Sequence, residues 1–443
     1  MDPTSLLTDR YELTMLDAAL RAGSAERPTI FETFTRSLPL GRRYGVVAGL
    51  GRLIDAIEAF RFDDDQLAAL DDDDVVSPAT LAWLAGYRFR GELHAYREGE
   101  IFVPGSPVLT VAAPFADGVV LETLVLSVLN HDSAVASAAA RMVNASGGRG
   151  MMEFGGRRTH EQAAVAAARA AYLVGFDGSS NLAAGARYGV PTLGTSAHAF
   201  TLLYDDERAA FAAQVAALGP RTTLLVDTYD TTRGIATALE VAGPELGAVR
   251  IDSGDLGAQA RSARTQLDAA GATATRIVVS GDLDEYRLAE LVDAPIDAYG
   301  VGTSVVTGSG APTSGFVYKL VARARSLGGP LEPVAKAGGS KATVGGRKRA
   351  GRRLHEGVAV EEVLRDWHSH VPAAERELQV PVLIDGARRH DPDLAGIREH
   401  HRAALAELPE QAYSLAPGVA CIPTRHQPAR PVPATAISEE ASP

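Results

Sequence analysis

Cysteine is almost absent from this chain. Cys421 is the one cysteine in 443 residues, which excludes an internal disulfide and a cysteine-rich metal site and fits a reducing compartment. Positive charge is also short: 43 Lys and Arg face 55 Asp and Glu, for a net charge of −12. Such a chain has no general pull toward nucleic acid or an anionic membrane, so an anionic ligand would need basic residues gathered locally. No stretch approaches ~18 uncharged apolar residues, so no membrane span is expected. The start, Met1 to Met15, carries Asp2, Asp9 and Glu12 and does not have the pattern of a signal peptide. The expected location is the cytoplasm. No tandem repeat occurs beyond the strand–helix rhythm described below.

What is present is ordinary globular composition, with 46% hydrophobic and 22% charged residues. A chain of this length can bury well over ~70% of its unfolded surface without staples. The expected fold class is α/β: an irregular (β/α) barrel packed on an N-terminal mixed α/β domain, with a C-terminal extension. The expected units are 1–140 (N-terminal α/β), 141–330 (barrel), 331–422 (a basic loop and a polar helical extension, helical over 355–412) and 423–443 (a proline-rich flexible tail).

Within 1–140 a helix is predicted from Thr8, a strand over 31–34, strands between Gly91 and Pro114, and a long helix over 121–143 rich in small residues. The acid runs Asp63–Asp65 and Asp71–Asp74 predict a solvated face or a helix cap. Adjacent aspartates cannot all face one ion. From about 150 to 305, helices over 161–171, 207–218, 232–241, 256–270 and 285–292 alternate with β-branched runs at 190–193, 223–226, 248–251, 276–279 and 298–301. That alternation predicts βαβ units and a parallel sheet.

Each of these runs ends in polar residues: Gly194-Thr195-Ser196-Ala197-His198, Asp227-Thr228-Tyr229-Asp230, Arg250-Ile251-Asp252-Ser253-Gly254, Ser280-Gly281-Asp282 and Gly300-Val301-Gly302-Thr303-Ser304. The C-terminal strand ends of α/β barrels form their active face. Side chains at i and i+2 share a strand face, which pairs Arg250 with Asp252 and Asp227 with Tyr229 at the mouth. One such pair alone would be a structural salt bridge; five polar endings on one rim favour a site. Gly300, Gly302 and Thr303, with Gly281 and Asp282, could bring backbone N–H groups to a phosphate. Phe154 could stack a flat ring, and Arg157 or Arg158 could clamp a carboxylate or phosphate; a core Phe beside two surface arginines is an equal reading of that segment. His198 carries a ring nitrogen competent as a nucleophile toward phosphorus.

Several segments together resemble the nicotinate phosphoribosyltransferase family, in the same order and from residue 5 to about 350. They are Thr8 to Met15, Glu153-Phe154-Gly155, Gly175 to Asn181, Gly194 to Phe200, Val226 to Asp230 and Arg250 to Gly254. The resemblance implies a type II phosphoribosyltransferase fold, a homodimer, and a ligase-type reaction in NAD biosynthesis. Nicotinate, 5-phosphoribosyl 1-diphosphate and ATP would give nicotinate mononucleotide, diphosphate, ADP and phosphate. It implies that Phe154 stacks the pyridine, that Tyr11 of a partner subunit covers its other face, and that Arg157 and Arg250 handle carboxylate and phosphate. Gly281, Asp282 and the 300–304 loop would hold the phosphoribosyl group beside Thr195, and ATP would phosphorylate His198. Asp227 and Asp252 would hold Mg²⁺ directly or through water. Neutral Ser180 favours nicotinate, since a carboxylate there would repel it.

Three features depart from the family pattern: Ala140 precedes Arg141 where a lysine is usual, Gly345 stands where proline is expected, and Ala350 and Gly351 replace bulkier residues. The basic run Arg347 to Arg353 is expected to be a solvated or phosphate-facing loop rather than an RNA patch. The alternatives are a nicotinamide or quinolinate phosphoribosyltransferase on the same fold, an unrelated phosphate-binding barrel such as an aldolase, and a non-enzymatic scaffold. None of the five endings offers the Schiff-base lysine an aldolase would want.

Overall fold

A computed structural model describes residues 4–336 and 343–427. Lys341 and most of the expected tail, 428–443, lie outside the described residues. The functional half is a six-stranded parallel sheet. We number its strands in chain order: β1 Gly150–Glu153, β2 Gly178–Ser179, β3 Thr223–Leu225, β4 Ala248–Ile251, β5 Arg276–Ser280 and β6 Ala298–Val301. Their spatial order is β2-β1-β6-β5-β4-β3, so the sheet curls but stays open between β2 and β3.

The helices that follow these strands lie close to their predicted spans: Glu161–Leu173, Glu207–Leu218, Thr231–Ala242, Leu256–Ala269 and Glu285–Glu290. Four of them start at an aspartate whose side chain accepts a backbone N–H of the first turn: Asp206, Asp230, Asp255 and Asp284. Each such cap contributes about 1 kcal/mol. Those acids are thereby committed to helix ends, which separates them from the acids that face the mouth.

One strand expectation needs correction. The run 190–193 is not a strand; only Thr192 bridges Ser179. Pro191 has no N–H to give a ladder. The sheet instead uses β1 and β2, which are too short and too Gly-rich for periodicity to mark them.

The other half is a seven-stranded antiparallel sheet. Its strands run in the order 331–333, 316–324, 28–35, 109–114, 92–96, 379–384 and 387–388. The helix Glu122–Ala145 joins the two halves. Its small residues Ala136, Ala138, Ala139 and Ala140 sit fully inside the barrel-side core, while Leu124, Val125 and Leu129 enter the N-terminal core. Within 115–145 one 18-residue window reaches a mean hydropathy of 1.3, although the segment is broken by Asp117, Glu122, Asp132 and Arg141. Of that window 67% is buried inside the fold, as in a central core helix. The acid run 63–65 forms a capping box with Gln66 on the helix Asp64–Asp72, in line with the cap reading.

Residues 355–412 are not mainly helical. Strands 348–355, 358–366, 375–377 and 424–426 form a four-stranded sheet, strand 379–384 joins the large sheet, and only Leu394–Ala406 is a long helix. Nor is 347–353 a loop. Arg352, fully buried, pairs with Glu100 at 2.7 Å and with Glu362 at 3.3 Å. Lys348 pairs with buried Glu32 at 2.6 Å, and Arg347 lies 3.7 Å over the Trp367 ring. Charges that suggested a solvated surface are partners across strands. The expected tail is corrected at its start, where Thr424–His426 runs parallel to 358–366.

Candidate active site at the strand tips

Arg250 is the hub of the mouth. It is the third residue of β4, and its guanidinium reaches three neighbouring segments. Nε donates to Ser280 Oγ at the end of β5 (2.8 Å), Nη1 to Thr195 Oγ1 (3.0 Å) and the Ser196 carbonyl (3.3 Å), and Nη2 to Asp252 Oδ1 (2.8 Å). Arg250 and Asp252 therefore do share a side. Ser280 Oγ also donates to Asp252 Oδ1. Burial pushes the Asp252 carboxyl upward, but the bonds from Ser280 and Arg250 and the Arg250 charge together hold it below the ordinary carboxylate range.

Asp227 follows β3, and its side chain is buried. Its Oδ2 accepts from the Asp252 N–H and from Ser253 Oγ, both at 2.8 Å. Its Oδ1 is buried with no hydrogen-bond partner and lies 3.8 Å from His198 Nε2. The other ring nitrogen of His198, Nδ1, is 3.1 Å from Thr228 Oγ1. His198 is the first residue of the short helix His198–Leu202 rather than a strand end. Asp227, Arg250, Asp252 and His198 thus form one connected cluster. Tyr229 does not join it, being 62% exposed. The strand stops at Leu225, so period-two alternation no longer applies there.

The apolar wall is Phe154, half-buried just after β1. The Arg250 Cζ lies 5.5 Å from its ring centroid. The ring can lie there because residue 300 has no side chain: a Cβ on Gly300 would come within 2.5 Å of the ring. Gly281 has a positive φ of 107°, and a Cβ there would come within 2.2 Å of the Asp252 carbonyl oxygen. Asp282 follows it, exposed, also with positive φ (47°). Gly302 caps the helix Thr303–Val306. Ser180 is exposed at the tip of β2, with its N–H on the Glu153 carbonyl (2.9 Å).

Two predicted residues stand apart within one subunit. Arg157 is exposed and makes no side-chain hydrogen bond or ion pair among the described residues. Tyr11 is 46% exposed on the helix Arg10–Arg21. Burial and the nearby carboxylates of Glu122 and Glu12 push its phenol up to about 12. Sequence reasoning left Ser280, Ser253, Thr228 and Glu153 without roles, although all stood inside the quoted motifs. Small hydroxyls are too common for composition to single them out. What marks them is adjacency to a chosen acid or arginine at a strand end.

Comparison with known proteins points one way. Residues 6–130 match the nicotinate phosphoribosyltransferase (NAPRTase) N-terminal domain. The chain is 56% identical over 439 residues to the nicotinate phosphoribosyltransferase pncB1 of Mycobacterium tuberculosis (strain ATCC 25618 / H37Rv), covering 97% of this chain and 96% of that one. It is 38% identical to the nicotinate phosphoribosyltransferase of Bacillus subtilis, covering 80% of this chain and 74% of the relative. The crystal structure of human nicotinic acid phosphoribosyltransferase superposes with a TM-score of 0.80 at 28% identity, covering 93% and 96% of the two chains.

Proposed function

The chain belongs to the nicotinate phosphoribosyltransferase family, and from that premise we propose that it is an ATP-coupled member working through a phosphohistidine at His198. It is an enzyme of NAD biosynthesis that acts on nicotinate and 5-phosphoribosyl 1-diphosphate. We place it in the cytoplasm as a homodimer, with the partner's Tyr11 closing the nicotinate slot over Phe154.

The reacting bond lies between the pyridine nitrogen and ribose C1. The nitrogen lone pair forms it as the C1–O bond to diphosphate breaks. The sugar gains cationic character while the leaving group gathers negative charge, so catalysis is positioning and electrostatics. Phe154 holds the pyridine plane. Arg250, already fixed by Ser280, Thr195 and Asp252, presents a pre-aimed cation at little further entropic cost. Gly281, Asp282, Gly300, Gly302 and Thr303 bring backbone and hydroxyl donors to the phosphoribosyl group, and Arg157 approaches the carboxylate.

Asp227 and Asp252 suit a magnesium ion carried in with the diphosphate. Asp227 offers a buried oxygen with no hydrogen-bond partner, and Mg²⁺ takes only one or two carboxylates beside substrate phosphates and water. When bound, the ion would offset part of the diphosphate charge.

With its proton on Nε2, facing Asp227, His198 keeps a lone pair on Nδ1 within reach of the Thr228 hydroxyl. That lone pair can attack the γ-phosphorus of ATP as the bond to ADP breaks. The phosphoryl group later passes to water as phosphate. One observation carries this proposal: the histidine, both acids and the arginine form one hydrogen-bonded and ion-paired cluster. The test is turnover of nicotinate, nicotinamide and quinolinate, each with and without ATP. Nicotinate alone should be used efficiently, and ATP should stimulate it. His198→Ala should keep the fold and lose both ATP hydrolysis and the stimulation; full ATP coupling in that variant would refute the phosphohistidine.

A further inference from the structure

Glu153 is the last residue of β1 and is fully buried. Among the described residues no cation pairs with it. Its Oε1 accepts the Gly155 N–H, and its Oε2 accepts the Ser179 hydroxyl. Ser179, itself fully buried, accepts the Asn181 N–H at 2.9 Å. The Glu153 carbonyl takes the Ser180 N–H at 2.9 Å. One residue therefore ties the loop carrying Phe154 to the loop carrying Ser180.

A buried carboxylate without a counter-ion is costly. Burial pushes this carboxyl above its ordinary range, against the hydrogen bonds that pull it down. Simple packing would be served better by an apolar side chain. Both donors it does satisfy belong to the two loops of the nicotinate slot. The approach is also tight: a Cβ on Gly155 would lie 2.8 Å from Glu153 Oε1 and 2.2 Å from Val306, so the first loop folds directly onto the carboxylate.

We propose that Glu153 is a positioning residue that sets the width of the nicotinate slot by clamping the Phe154 loop to the Ser179–Asn181 loop. The inference rests on the reading that Phe154 stacks the pyridine. The phosphoribosyl donor is held by other strand tips, so slackening this clamp acts on one substrate.

The test is steady-state kinetics of Glu153→Gln, Ser179→Ala and the double variant, with Phe154→Ala alongside. Glu153→Gln keeps volume and one acceptor but turns an NH₂ toward one of the two donors. Ser179→Ala cuts the side-chain link between the loops, keeps the Ser180 N–H on the Glu153 carbonyl, and leaves the carboxylate on Gly155. Each should raise KM for nicotinate about tenfold, within what misplacement by about 1 Å can do. KM for the phosphoribosyl donor should change less than about twofold, and the double variant should be little worse than either single one. Equal shifts for both substrates, or an unchanged nicotinate KM in Ser179→Ala, would overturn the proposal. Should Glu153→Gln fail to fold, Ser179→Ala decides alone. If Phe154→Ala leaves nicotinate KM unchanged, the stacking reading fails; if it raises KM while Ser179→Ala does not, only the clamp fails.

Discussion

Replacing Gly281 with alanine is a one-methyl perturbation whose consequence can be worked from geometry. The added Cβ would stand 2.2 Å from the Asp252 carbonyl oxygen, whereas ordinary contact begins near 3.4 Å. One strand tip must therefore retreat by about 1 Å. The neighbour is backbone, so no flexible side chain can absorb the shift. The φ of 107° adds strain of roughly 1 to 3 kcal/mol for any residue with a Cβ. The displaced atoms belong to the acid that Arg250 and Ser280 hold, so the shift falls on the site itself. Misplacement of about 1 Å can cost about 100-fold in rate, and we expect a fall of that order in kcat/KM for the phosphoribosyl donor. The assay is initial-rate kinetics with each substrate varied, beside a thermal melt to separate unfolding from misplacement. Gly300→Ala is the matched comparison, since its Cβ meets the Phe154 ring at 2.5 Å. It should weaken nicotinate as well as the phosphoribosyl donor, whereas Gly281→Ala should act on the donor alone. A folded Gly281→Ala enzyme with unchanged kcat/KM for the phosphoribosyl donor would refute the geometry.

Arg352→Met should destabilise the fold by roughly 3 to 5 kcal/mol, because it leaves Glu362 buried without a cation, while Glu100 keeps Arg376; urea unfolding monitored by circular dichroism reads this, and a loss under ~1 kcal/mol would argue against a stabilising role for the pair. Asp117 responds oppositely to pH. Burial and nearby Glu26 push its carboxyl up to about 6, so its ionised form opposes folding above that pH, and stability should rise as pH falls through 6 toward the ordinary aspartate value. Asp117→Asn should therefore stabilise at pH 8 by on the order of 1 to 2 kcal/mol after allowance for partial exposure, and the difference should vanish near pH 4. A constant difference across that range would contradict the assignment.

The parallel sheet could be read from sequence because its signals are local. Ile277, Val278 and Val279 form a β-branched run, the helix Leu256–Ala269 repeats at helical spacing, and the capping aspartates Asp255 and Asp284 mark the helix starts on either side. The same locality made Arg250 and Asp252 readable as neighbours, two residues apart at the end of one strand. β2 was not readable, because two residues carry no period. The C-terminal sheet failed for a different reason. Its polarity pattern suggests solvent, yet Arg352 and Glu100 are 252 residues apart and cancel each other only once folded. A buried ion pair looks in sequence like two surface residues.

That distinction also explains which acids could be assigned. Asp230 and Asp227 lie three residues apart on one turn and are indistinguishable by composition. Asp230 gives its oxygen to the Arg233 N–H and closes a helix. Asp227 is held by the Asp252 N–H and the Ser253 hydroxyl, from the next strand tip, and turns a buried, unpaired oxygen toward His198. An acid satisfied within its own turn is a cap. An acid held from a neighbouring strand, with an oxygen left over, is available for chemistry. Reading the mouth of such a sheet therefore means asking of each carboxylate which oxygens its own loop has already used.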